Sequence, residues 1–147
     1  MKDNFTESER HYISLLQENI NRMASNSANC KTWLLTLVAA IMALQLTSYE
    51  LRSILWVAIG LIALFYYLDS FYLGLERKFI AVEKEFVRAV KEKGSDEQTP
   101  GIYSFNIKDV KDKYATTCCA MKSVSTLPFY IGLFVITFCV YLWPCIF

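Results

Sequence analysis

RSILWVAIGLIALFYYLDSFYLGLERKFIAVEKEFVRAVKEK, residues 52–93, joins a membrane-length apolar run to a charged amphipathic helix with no proline or polar loop between them. Ser53 to Leu68 carries no charge, Asp69 interrupts, and Ser70 to Leu75 is again uncharged before Glu76, Arg77 and Lys78 close the run. At 1.5 Å per residue, Arg52 to Leu75 spans about 35 Å, enough to cross a hydrocarbon core of about 30 Å with some tilt. Beyond it, Leu75, Phe79, Val82, Phe86 and Val90 recur at steps of three and four, so one apolar stripe continues while Glu83, Lys84, Arg88 and Lys91 face away. The stretch reads as a transmembrane helix that leaves the bilayer and needs cover for its stripe.

Working outward, Thr32–Tyr49 and Ser123–Phe147 are also uncharged and of spanning length. The sequence therefore predicts an all-α integral membrane protein of one domain. Its parts are an amphipathic helix over 1–31, spans over 32–49, 52–75 and 123–147, and a helical hairpin over 76–122. A long polar segment precedes residues 32–49, so they are not read as a secretory signal. Of the 15 Lys and Arg, four lie in 1–31, ten between Arg77 and Lys122, and one, Arg52, in the turn between the first two spans. The positive-inside bias predicts a multi-pass inner-membrane protein with its N-terminus and central segment cytoplasmic and its C-terminus outside. A net charge of +1, with acids and bases interleaved, gives no basis for nucleic-acid binding.

Thr6 to Glu9 has capping-box spacing, so a helix starts at Glu7, with Ile13, Leu16, Ile20 and Met23 as its apolar stripe. It can run into the first span, with a bend near Ser25–Asn29. Arg22, Asn26 and Asn29 line up on its polar face, where buried or near-lipid groups need partners. Thr32, Thr36, Ala40, Ala43 and Thr47 form a stripe of small or hydroxyl residues that predicts close helix packing or a pore-lining face. Gln45 is read as an interhelical hydrogen-bond donor or, the favoured reading, as wet at the outer interface.

Asp69 is the one ionised residue inside the uncharged spans, and a charge there calls for Arg22 or Lys31 as partner, or for a part in gating. Glu76 and Arg77 stand two turns further on. A helix is expected over 107–122, forming the hairpin with 75–93, with Phe79 and Phe86 as anchors for a cytoplasmic protein partner. Arg22, Asn26, Lys31, Arg77 and Lys78 are the alternative surface, for an anionic ligand. Ser125 is expected to cap the last span, with Pro128 in its first turn. Five cysteines without CxxC spacing, one histidine, and no nucleophile–base or phosphate-loop motif leave no catalytic residue, metal site or cofactor to assign.

LLQENINRMASNSANCKTW (15–33) and LDSFYLGLERKF (68–79) resemble a group of small bacterial membrane proteins. These carry an RMAxNSxxxKxW motif leading into the first span and a D-x-x-YL-x-x-ER motif leaving the second. The match falls on Arg22, Asn26, Ser27, Lys31, Trp33, Asp69, Tyr72, Glu76 and Arg77. The layout of polar helix, two-span hairpin and exit helix also looks like the SLATT-type effectors of bacterial conflict systems, from which the third span departs. The missing catalytic motifs predict a non-enzymatic protein, and more apolar surface than one 17 kDa protomer can cover predicts a homo-oligomer. The resemblance implies that it opens or disturbs the inner membrane in antiphage defence. The alternative expectation is an anchor or scaffold that recruits a partner through residues 76–122.

Overall fold

A computed structural model describes residues 5–47, 54–92 and 117–146 of the chain, and every element among them is helical. Helix α1 spans Glu7–Thr47, α2 spans Ile54–Glu92, α3 is the short Thr117–Met121, and α4 spans Leu127–Ile146. The capping box forms as a reciprocal pair, with the Thr6 N–H donating to Glu9 Oε2 at 2.8 Å and the Glu9 N–H to Thr6 Oγ1 at 3.4 Å. From that cap α1 continues through Ser25–Asn29 as one helix of 41 residues, about 60 Å long. The amphipathic segment and the first apolar run are therefore one element, as are the second run and its charged continuation.

The two long helices are antiparallel and hold one register along the paired length. Tyr12 stacks edge-on against Phe86 with ring centroids 4.8 Å apart, Gln17 Nε2 donates to Glu83 Oε1 at 3.0 Å, and Lys31 meets Asp69. Each step forward on α1 is matched by one step back on α2. Toward the charged end Tyr12, Leu16, Val82 and Phe86 form a core, with Ile13, Phe79 and Val90 packed against it. The stripe of α2 is thus covered by the N-terminal turns of α1. This corrects the expectation that Phe79 and Phe86 are open to a partner, because Phe86 has no exposed surface and Phe79 leans on the same core. Within the expected partner helix 107–122, residues 117–121 are helical, and 107–116 lie outside the described residues.

A second core joins three helices, with Leu34 and Val38 from α1, Ile62 from α2, and Tyr130 and Leu133 from α4. α4 begins one residue later than expected, so Thr126 and not Ser125 stands immediately before its first residue, Leu127, and the Ser123 carbonyl accepts from the Thr126 and Leu127 N–H groups. Pro128 stays in the first turn, where no N–H is required. Gly74 lets α3 lie directly on α2, since a Cβ there would sit 3.3 Å from Thr117 Cα.

Around the three-helix core the outer surface is apolar. Leu35, Leu44, Trp56, Val57, Leu64, Ile131 and Ile136 are all half-exposed or more. α1 and α2 are each long and apolar enough to cross a membrane. Only 22% and 28% of their most apolar windows are buried, unlike the core helices of a soluble protein, which turn such surface inward. Gln45 corrects another expectation, being 4% exposed and without a partner for Oε1 among the described residues.

Because Phe86 fills a site closed by Tyr12, truncation leaves a cavity. Phe86→Ala is expected to cost about 3–5 kcal/mol. Thermal unfolding followed by helicity checks this, and a loss within about 0.5 kcal/mol, as at an open surface position, would place the phenyl ring outside any core.

Candidate functional site

Ser27 and Lys31 stand four residues apart on α1, so both side chains leave the same face, one turn apart. That face meets α2 at Asp69, whose side chain has no exposed surface. Lys31 Nζ lies 2.9 Å from Oδ1 and 2.8 Å from Oδ2, straddling the carboxylate, and it also donates to Ser27 Oγ at 3.2 Å. The Ser27 hydroxyl donates to Oδ1 in turn. Oδ2 has the ammonium as its ion-pair neighbour but no hydrogen bond of good angle, so attraction at that oxygen is chiefly Coulombic. The Tyr130 phenol on α4 faces the same carboxylate and donates to the Phe65 carbonyl at 3.1 Å.

Around the ion pair, polar bonds tie α2 to the start of α4. Tyr66 Oη donates to the Met121 carbonyl at 2.9 Å, and Arg77 Nη2 donates to Ser123 Oγ at 3.1 Å. Ser70, fully buried, donates to the Tyr66 carbonyl of its own helix at 2.7 Å. Burial pushes the Glu76 carboxyl above its ordinary range, with Arg77 and then Lys31 pulling it back. The arrangement is a paired, largely dry cluster that locks three helices together at one level.

The sequence-predicted residues divide around this cluster. Lys31 and Asp69 come together, with Glu76 close enough to feel the Lys31 charge. Arg22, offered as an alternative partner of Asp69, is exposed and donates to Asn19 Oδ1 at 3.1 Å. About two and a half turns separate it from Lys31, and at the constant register of the hairpin that puts it beyond the carboxylate. Asn29 is exposed and Asn26 partly so, and Arg22, Lys31 and Arg77 each bond to a different partner, so the expected anion-binding surface does not converge. Thr32, Thr36, Ala40 and Ala43 point away from α2 and α4, and the Thr32 and Thr36 hydroxyls donate to the carbonyls of Ala28 and Thr32. Packing within the chain uses Cys30, Leu34 and Val38 instead, so the small-residue stripe takes no part in the contacts between these helices. The side chain of Thr47 lies outside the described part.

Ser27 is the partner that sequence reading undervalued; its spacing of four from Lys31 was the available signal. The contributions of Tyr66 and Tyr130 depend on where α4 docks, which no local pattern encodes. Among the described residues no group of three or more His, Cys, Asp or Glu could hold a metal ion. No family model, no curated protein and no solved structure matches the chain.

Truncating Lys31 strands a fully buried carboxylate, whereas truncating Asp69 leaves an ammonium that is 21% exposed and can turn to water. Lys31→Ala is expected to cost on the order of 3–5 kcal/mol, Asp69→Ala less, and the double change less than their sum. Arg22→Ala combined with Asp69→Ala is expected to be additive within about 0.5 kcal/mol. Additivity for Lys31 with Asp69 in thermal unfolding would refute the pairing. The raised Glu76 carboxyl means that the folded chain holds this proton more tightly than the unfolded one. Stability therefore falls as pH rises from the ordinary glutamate range through the raised value, and Glu76→Gln is expected to remove that part of the fall. An identical pH–stability slope in the variant would contradict it.

Proposed function

We propose that the chain is a non-enzymatic, oligomeric membrane effector of the bacterial inner membrane, which conducts or disturbs the bilayer when copies assemble. The observation that carries this reading is the outward-facing row Thr32, Thr36, Ala40 and Ala43, set in an otherwise aliphatic and aromatic exterior. Small residues let helix backbones approach closely in lipid, where no hydrophobic force between helices exists. The row is left over after α1 has packed on α2 and α4, so a second copy is the surface it suits. Its threonine hydroxyls already donate to their own helix, so the face can meet another helix without orphaned donors, while their oxygens still offer lone pairs to water or an ion.

In this reading α4, 20 residues long and about 30 Å, is the third span. The lysine and arginine distribution supports an N-in, C-out orientation, with the Lys31–Asp69 level near the cytoplasmic headgroups and the two-helix arm beyond it in the cytoplasm. The ion pair is then the natural latch, because charges at that depth are costly unless paired and hold the helices at one register. A role in antiphage defence rests on the SLATT-like layout. The scaffold reading keeps the projecting arm as its support, although the Phe79–Phe86 stripe is already occupied within the chain.

Reconstituted in vesicles holding an ion gradient, the protein is expected to collapse a dye-reported membrane potential. Ala40→Phe with Ala43→Phe is expected to lower the assembly mass and to abolish the collapse together. Assemblies of unchanged mass that never dissipate the potential would refute conduction and transfer support to the scaffold.

A further inference from the structure

A groove of about 310 Å³ runs along the outside of the bundle between α2 and α4, walled by Ile59, Ala63 and Tyr66 on one side and Leu127, Ile131 and Phe134 on the other. Its lining is almost wholly apolar, and its two tyrosine hydroxyls are already committed, Tyr66 to the Met121 carbonyl and Tyr130 to the Phe65 carbonyl. An occupant with polar groups inside the groove would leave them unsatisfied, so hydrocarbon is the chemistry that fits. At the end where α4 begins, the surroundings change. Lys122 is exposed and lies between two residues tied to α2, since Met121 accepts from Tyr66 and Ser123 accepts from Arg77. Among the described residues this end of the bundle carries four cations (Lys31, Arg77, Lys78 and Lys122) against two carboxylates (Asp69 and Glu76), and the Lys31 charge is spent on Asp69.

We propose that the α2–α4 groove holds one acyl chain of an anionic phospholipid, with its headgroup phosphate at Lys122 and Arg77. A hydrocarbon tail on a net anionic head matches both the apolar walls and the basic end, whereas a zwitterionic head brings its own cation next to the phosphate and so meets the basic end with no net charge. The site gives α4, which otherwise touches α2 over a short seam, a lipid-dependent contact with it. The proposal rests on the membrane placement of the bundle and not on conduction.

The test uses the full chain purified in mild detergent with equimolar phosphatidylglycerol and phosphatidylcholine, with bound lipids counted by native mass spectrometry. The wild-type protein is expected to retain phosphatidylglycerol in preference. Lys122→Gln, at an exposed position, is expected to lower that preference about fivefold, and the further change Arg77→Gln by about the same factor. Ala63→Phe fills the groove from a solvent-accessible position and is expected to lose both lipids. Equal retention of the two lipids by the wild type, or a preference unchanged in both glutamine variants, overturns the proposal. A lower assembly mass in Ala63→Phe with its lipid count unchanged also overturns it, by assigning the groove to a second copy. Lipid counts are read without reference to ion flux, so failure of conduction and failure of this site are separate results.

Discussion

A carboxylate with no exposed surface costs several kcal/mol unless a cation and hydrogen-bond donors meet it, and Asp69 is met by Lys31 and Ser27 from a single face of α1. Two helices joined mainly by aliphatic contacts can slide by a turn with modest loss of buried area. A slip of one turn here would carry Lys31 about 5.4 Å from its partner and leave the carboxylate bare. The ion pair therefore selects the register in which Tyr12 meets Phe86, about five turns further out, and in which Leu34 and Val38 meet Ile62 on its other side. It contributes specificity more than net stability, because desolvating the pair offsets much of its attraction.

That register divides one hairpin between two kinds of surroundings. From the Lys31–Asp69 level toward Trp56, the exterior is leucine, isoleucine, valine and aromatic surface apart from the small-residue row, and what is buried is mainly aliphatic, with Tyr130, Gln45 and small polar residues among it. In the other direction the exterior carries Glu83, Lys84, Arg88 and Glu92, with Arg88 bonded to Glu92 at 2.7 Å, and only the stripe between α1 and α2 is apolar. Each helix thus changes character where the ion pair sits. A charged pair at such a boundary is less costly than one at mid-bilayer, and it marks the level at which the helices stop presenting hydrocarbon outward.

α4 completes the apolar half through Tyr130 and Leu133 and reaches Trp56 through Tyr141, whose rings lie 6.0 Å apart. Near its start it is tied to α2 by the Gly74 approach of α3, the Tyr66–Met121, Arg77–Ser123 and Tyr130–Phe65 bonds, and the tyrosine pair at 5.1 Å. α1 keeps its row of small residues outside this assembly. Among the described residues, the small-residue face of α1 and the groove beside α4 are both left uncovered, surfaces of different shape that suit different neighbours.

Apolar run length and period fixed much in advance, because they are local properties of the chain: the helical class, the unbroken second helix ending near Lys93, the cap at Thr6 and Glu9, and the need for a cation near Asp69. What covers the Phe79–Phe86 stripe was decided by tertiary structure alone. Any amphipathic helix offers a similar stripe, and both the N-terminal segment and residues 107–122 carry one. The choice of Lys31 over Arg22 depended on register, which shifts which residues are level without changing either motif. The outward turn of Thr32, Thr36, Ala40 and Ala43 had the same origin: larger side chains at Leu34 and Val38 fill the seam with α2 and α4 more fully, so the small residues were left for a surface outside the chain.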